Sequence, residues 1–124
     1  MPYLQRQAQP PAPLPADQQS QLDKRFNANA YQLSFDTGGV DWGLIETVEV
    51  AQAARLNNPA GWLLRKLIYS GERYHVGVYF GEHEIVLTNV SREMAAYVIH
   101  TIAYHTRQPI RYAGIEGIAQ VVES

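Results

Sequence analysis

The sequence predicts an α+β fold: an antiparallel β-sheet, a meander able to close partly into a barrel, packed against one C-terminal amphipathic helix. Three observations carry that expectation. Residues alternate apolar and polar from Ala30; three apolar runs are separated by the short links "SGER" and "GEHE"; and "SREMAAYVIHTIAYHT", residues 91–106, repeats apolar residues at helical spacing.

Five of the seven prolines fall within the first fifteen residues, interleaved with glutamines. Few apolar residues stand there to offset the entropy of ordering, so residues 1–24 are expected to form a disordered Pro/Gln-rich arm before a single α+β domain over residues 25–124. Its "PPAPLP" segment favours polyproline II, which serves as a stiff spacer or as a ligand for an aromatic groove.

From there Tyr31, Leu33 and Phe35 share one face of a strand that ends at Thr37-Gly38-Gly39. Residues 41–56 read both ways. Ile45, Thr47, Val48 and Val50 prefer strand and "AQAARL" prefers helix, so a strand is placed at 44–51, ahead of a loop at residues 57–61.

In the meander, pairing Phe80 with Ile85 and Val78 with Leu87 buries Tyr74, Val76, Val78, Phe80, Ile85 and Leu87 and turns His75, Gly77, Tyr79, Val86 and Val90 to the other side. Extending the register back brings Arg65 or Lys66 close to the core face, the mark of an edge strand guarded by charge or of a binding-site cation. Ser91 then caps the helix, Glu93 suits its first turn, and Pro109 stops it. Met94, Ala95, Val98, Ile99 and Ile102 form its core stripe.

Composition excludes more than it identifies. The chain has 124 residues, 46% hydrophobic and 18% charged, with no cysteine and a net charge of −2. No disulfide or thiolate chemistry is available, and no basic field draws phosphate backbones, so nucleic acid is not expected as a partner. No apolar run reaches the length of a signal peptide or a membrane span, which sets the expectation of a cytoplasmic protein without membrane insertion.

No catalytic constellation stands out. The five serines lack a nucleophile-elbow context, and the carboxylates are scattered. His100 and His105, five apart, lie about 140° around a helix and cannot chelate one ion, while His83 in "GEHE" reads as an exposed turn. No cofactor or metal is expected. The surplus lies in Tyr97, His100 and Tyr104, an aromatic stripe with Arg107 nearby where a solvated face would carry lysine or glutamate.

The strands, including "GWLLRKLIYSGERYHVGVYFGEHEIVLTNV", followed by the helix "SREMAAYVIHTI", resemble in element order the small bacterial pleckstrin-homology-like domains over residues 31 to 106. That resemblance implies a curved sheet closed at one end by the C-terminal helix. No site residue is carried over from it.

The expectation is a non-enzymatic protein-binding or assembly/adaptor module, with a protein partner or homo-oligomer meeting Tyr97, His100, Tyr104 and Arg107 and the sheet edge at Arg65 and Lys66. The alternative is a small-molecule or cofactor-binding domain with a pocket between sheet and helix at His75, Tyr79 and Arg65. The third is a single-stranded nucleic-acid binder stacking bases on the sheet tyrosines.

Overall fold

The computed structural model describes residues 2–52 and 73–123. In chain order it forms β1 (Pro2–Leu4), α1 (Ala16–Asp23), β2 (Phe26–Ala28), β3 (Gln32–Phe35), β4 (Gly38–Asp41), a single 3-10 turn (Trp42–Leu44), β5 (Thr47–Gln52), β6 (Tyr74–Phe80), β7 (His83–Val90), α2 (Arg92–His105), β8 (Arg111–Gly114) and β9 (Val121–Glu123). The loop expected at residues 57–61, the apolar run through Arg65 and Lys66 and the "SGE" of its link lie outside the described residues.

The hairpin β6–β7 turns on two residues, Gly81 and Glu82, with Gly81 at φ 60° as a tight two-residue turn needs. Phe80 therefore pairs with His83, Val78 with Ile85 and Val76 with Leu87. This register is two residues from the expected one, and a slip of two keeps every side chain on its face. Tyr74, Val76, Val78, Ile85 and Leu87 are all buried, with Phe80 half-buried at the hairpin end.

Val90 departs from the expectation and is fully buried. A bulge lies between Tyr74 and Val76, opposite Asn89 at φ 58°, so the extra residue returns Val90 to the inner face three positions after Leu87. The Asn89 amide donates to His75 Nδ1 at 3.0 Å, which closes the gap the bulge leaves in the ladder.

Helix α2 begins as expected. Ser91 Oγ accepts from the Met94 amide at 3.2 Å and donates to Gln18 Oε1 of α1 at 2.9 Å. Its stripe Met94, Ala95, Val98, Ile99 and Ile102 is buried, at most 3% exposed, against the inner face of the sheet. The helix carries the chain across that face, so β8 returns parallel to β5, while the other strand pairs among the described residues are antiparallel.

The larger sheet has the order β7-β6-β5-β8-β1-β9 and the smaller β2-β3-β4. Among the described residues β7 and β9 stand at the two edges, so the strands described form an open sheet and not a closed barrel. The β7 edge is covered by the smaller sheet: Thr37 Oγ1 both donates to the Val86 carbonyl and accepts from its amide, and Arg25 donates to the Thr88 carbonyl at 2.7 Å. The β9 edge carries Val121 and Val122, 39% and 47% exposed.

Two further corrections concern the ends of the strand at 31–35 and the first 24 residues. Tyr31 does not share the buried face of Leu33 and Phe35 but is 83% exposed, because Asn29 Oδ1 accepts from the amides of Tyr31 and Gln32 and holds Tyr31 in a turn.

The N-terminal segment is not a disordered arm. β1 lies inside the larger sheet, with Tyr3 opposite both Arg111 and Val122, and the Leu4 amide donates to the Ile110 carbonyl. Leu4 and Leu22 are buried, at 8% and 0%. A composition averaged over residues 1–24 hides these anchors. Order depends on where the few apolar residues stand, and they stand at both ends.

Leu22→Ala is expected to destabilise the fold by about 2–5 kcal/mol, read from urea unfolding, where a free arm would show no change. Gly114, at φ 145°, has the backbone oxygen and nitrogen of Val50 where a Cβ would go. Gly114→Ala is expected to cost about 2–3 kcal/mol in the same measurement by forcing β5 and β8 apart.

Candidate functional site

Once the core stripe of α2 points into the sheet, Tyr97, Thr101, Tyr104 and His105 follow at spacings of four, three and one, and share the neighbouring face. Phe26 of β2 meets Tyr97 edge-on, with ring centroids 6.4 Å apart. Trp42 stacks on His105 at 4.4 Å and 8° from parallel. Trp42 is held in turn by its indole N–H, which donates to the Asn29 carbonyl at 2.7 Å, and by Gln108 Nε2, which donates to the Trp42 and Ile45 carbonyls.

Residues 5–15 cross this face as a strap. The Gln7 amide donates to the Ala103 carbonyl at 3.3 Å, and His100 Nε2 donates to the Gln9 carbonyl at 2.9 Å. Two grooves border it. One, of about 380 Å³, is lined by Pro10 and Pro11 of the strap and by Asp23, Phe26, Tyr97, Thr101, Tyr104 and His105. The other, of about 400 Å³, includes Gln7, His100, Ala103 and Gln120.

The strap thus separates the expected aromatic stripe. Tyr97 and Tyr104 share the first groove, and His100 borders the second, bonded to the strap itself. Tyr97 is half-buried and Tyr104 is 38% exposed. Neither phenol hydroxyl has a hydrogen-bond partner among the described residues. Arg107 is exposed past the helix end and lines neither groove. Arg65 and Lys66 lie outside the described residues.

His75 and Tyr79 sit on the face of β6 opposite the buried Tyr74, Val76 and Val78, and so on the side of the sheet away from α2. Tyr79 donates to Glu49 Oε1 at 3.2 Å. Its phenol pKa is raised, first by burial and then by the charges and hydrogen bonds of Glu49 and Glu84. Carboxylates on both neighbouring strands make this a poor platform for a nucleic acid, and Tyr74 is turned into the core.

Among the described residues no three His, Cys, Asp or Glu side chains gather as metal ligands, and no helix is long and apolar enough to cross a membrane.

Sequence reasoning missed Phe26, Trp42, His105, Asp23 and the strap prolines as parts of one site. The available signal was the pairing of a proline-rich segment with a helix that has aromatic residues to spare.

Burial lowers the pKa of His105 from its ordinary 6.5. The unfolded chain therefore binds this proton more readily, so stability is full above about pH 6.5 and falls as pH drops through the window down to the depressed folded value. Urea midpoints at about pH 7.5 and pH 5 are expected to fall further apart for the wild type than for His105→Phe, which keeps an aromatic ring against Trp42 and removes the titrating group.

Comparison of the chain with known protein families, with curated proteins and with solved structures finds no match.

Proposed function

We propose that this chain is a non-enzymatic protein-binding or assembly module that receives its partner on the aromatic face of α2. The observation that carries this reading is the groove lined by Phe26, Tyr97 and Tyr104, open to solvent, with two phenol hydroxyls that have no hydrogen-bond partner among the described residues. Rings with a polar tip supply large contact area at low entropic cost, and they dominate the energetics of protein interfaces. The groove offers hydrogen-bond donors and ring faces, which recognise a surface, while its Thr101 hydroxyl donates back to the Tyr97 carbonyl at 2.8 Å and His105 is stacked on Trp42.

The β9 edge supports the assembly half of the reading. Val121 and Val122 are exposed there, and Tyr3, Leu4, Pro109 and Val122 line a shallow apolar depression beside them. Exposed apolar edges invite another strand, although this one is short and flanked by Glu123 and Arg6. In this reading the module works in the cytoplasm, with a protein partner or a second copy of itself.

The test compares the wild type with a Tyr97→Ala, Tyr104→Ala double variant, first shown to unfold cooperatively. Recovery of partners from cell extract and the sedimentation of the purified chain are both measured. The double variant is expected to lose about 2 kcal/mol or more of binding, a thirtyfold or larger drop in recovery at limiting concentration. Unchanged recovery together with unchanged size would remove the α2 face as the binding surface.

A further inference from the structure

We infer that the groove on α2 takes a proline-rich, extended segment of another protein, and that the chain's own strap, residues 5–15, is its intramolecular competitor. The inference rests on the α2 face being the docking surface and names the chemistry of what docks there.

The first ground is what already sits on the groove. Pro10 and Pro11 form one of its walls, opposite Phe26, Tyr97 and Tyr104. At the end of the strap, Pro15, which caps α1, has φ −52° and ψ 147°, close to polyproline II, and its own carbonyl accepts from the Gln19 amide at 2.9 Å. A longer segment in that conformation makes no internal hydrogen bonds, so its carbonyls need outside donors. The Tyr97 and Tyr104 hydroxyls are such donors, and flat rings accept proline rings between them.

The second ground is the lining's charge. Asp23 brings a carboxylate to the rim, and among the described residues no lysine or arginine lines the groove. This disfavours a phosphate-bearing partner and suits a neutral or basic peptide.

The third is how lightly the strap is held. Its middle makes two hydrogen bonds to α2, with one more from Gln7 Nε2 to Gln120 Oε1 at 2.8 Å and one from the Leu14 amide to Gln19 Oε1 at 3.1 Å, and Pro10, Ala12, Pro13 and Pro15 are exposed, with Pro11 and Leu14 only half-buried. Its ends are held far more firmly, by β1 in the sheet and by the buried Leu22. The middle can lift while both anchors stay in place, which leaves the fold intact. Exchange of the strap with a second copy would instead pull β1 from between β8 and β9.

A tethered competitor acts at an effective concentration near the millimolar range, so a partner segment meets a groove already partly claimed. Loosening the strap raises the fraction of open groove and tightens binding in proportion.

The experiment titrates full-length protein against two dye-labelled peptides by fluorescence anisotropy. One is the strap sequence QAQPPAPLP, residues 7–15, and the other is the same peptide with every proline replaced by alanine. Proteins are the wild type, His100→Ala, which removes the bond to Gln9, and a Tyr97→Phe, Tyr104→Phe variant, which keeps the rings and removes the hydroxyls. The proline peptide is expected to bind at least about tenfold more tightly than the alanine peptide, His100→Ala to improve it about fivefold, and the phenylalanine variant to weaken it.

Equal binding of both peptides, or no binding of the proline peptide even to His100→Ala, overturns the inference. So does a doubling of sedimenting size on adding His100→Ala to wild type, which would assign the groove to strap exchange. If the peptides fail while the Tyr97→Ala, Tyr104→Ala variant still loses its partner from extract, the ligand chemistry is wrong and the binding module stands. If both fail, the α2 face itself is excluded.

Discussion

The seam between α2 and the inner face of β5–β7 positions everything else in this fold. Val98, Ile99 and Ile102 on the helix, and Val48, Val76, Val78 and Leu87 on the strands, are at most 2% exposed. Each such side chain contributes about 1.5–3 kcal/mol by leaving water. Few of them are interchangeable, because close-packed neighbours fix rotation as well as contact. With the helix locked about its own axis, the stripe of Tyr97, Thr101, Tyr104 and His105 has one direction left. It points past the sheet, toward β2 and the strap.

The smaller sheet follows from the same constraint. It stands at the β7 edge, and its residues satisfy that edge instead of extending it: Thr37 takes both backbone groups of Val86, and Arg25 reaches the Thr88 carbonyl while pairing with Asp36 at 3.0 Å. The ion pair itself is partly exposed and contributes little, about 0–1 kcal/mol. What matters is geometric. Phe26 and Trp42, carried by this half of the chain, arrive on α2 from its flank and turn an exposed aromatic row into the wall of a groove. Trp42 in particular links the two sheets, since Gln108, just beyond α2, holds its carbonyl while its ring stacks on His105.

Local features were legible in the sequence, and long-range pairing was not. The cap at Ser91, the core stripe of α2 and the alternating faces of β6 and β7 are written in periods of 3.6 and 2. They survived even a register shift, because the two-residue turn at Gly81-Glu82 moved the pairing by a full repeat. Val90 escaped because a bulge breaks the period without leaving a compositional mark. The fate of the first 24 residues escaped for a different reason: Leu4 meets Ile110, more than a hundred residues on, and α1, which carries the buried Leu22, is joined to the start of α2 by Gln18 and Ser91, separations that composition cannot weigh. The site was half legible for the same cause. Tyr97 and Tyr104 announce themselves on one helix, whereas Phe26, Trp42 and the prolines reach it only through tertiary structure.

The strap shows how a segment of disorder-prone composition becomes ordered at small cost. β1 and α1 fix its two ends, and the entropy of closing the loop between them grows only slowly with its length. Proline has already removed conformers from the unfolded chain, so less is lost when the segment lies down. Two hydrogen bonds to α2, together with those of Gln7 to Gln120 and of Leu14 to Gln19 and the half-burial of Pro11 and Leu14, then hold it in place. The contacts that hold the strap's middle are therefore separate from those that stabilise the domain. Leu4 and Leu22 govern whether the chain folds, and His100 with Gln7 governs how closely the strap follows the helix. Because the two sets share no residue, the covering of the aromatic groove can change over a wide range while the seam beneath it stays intact.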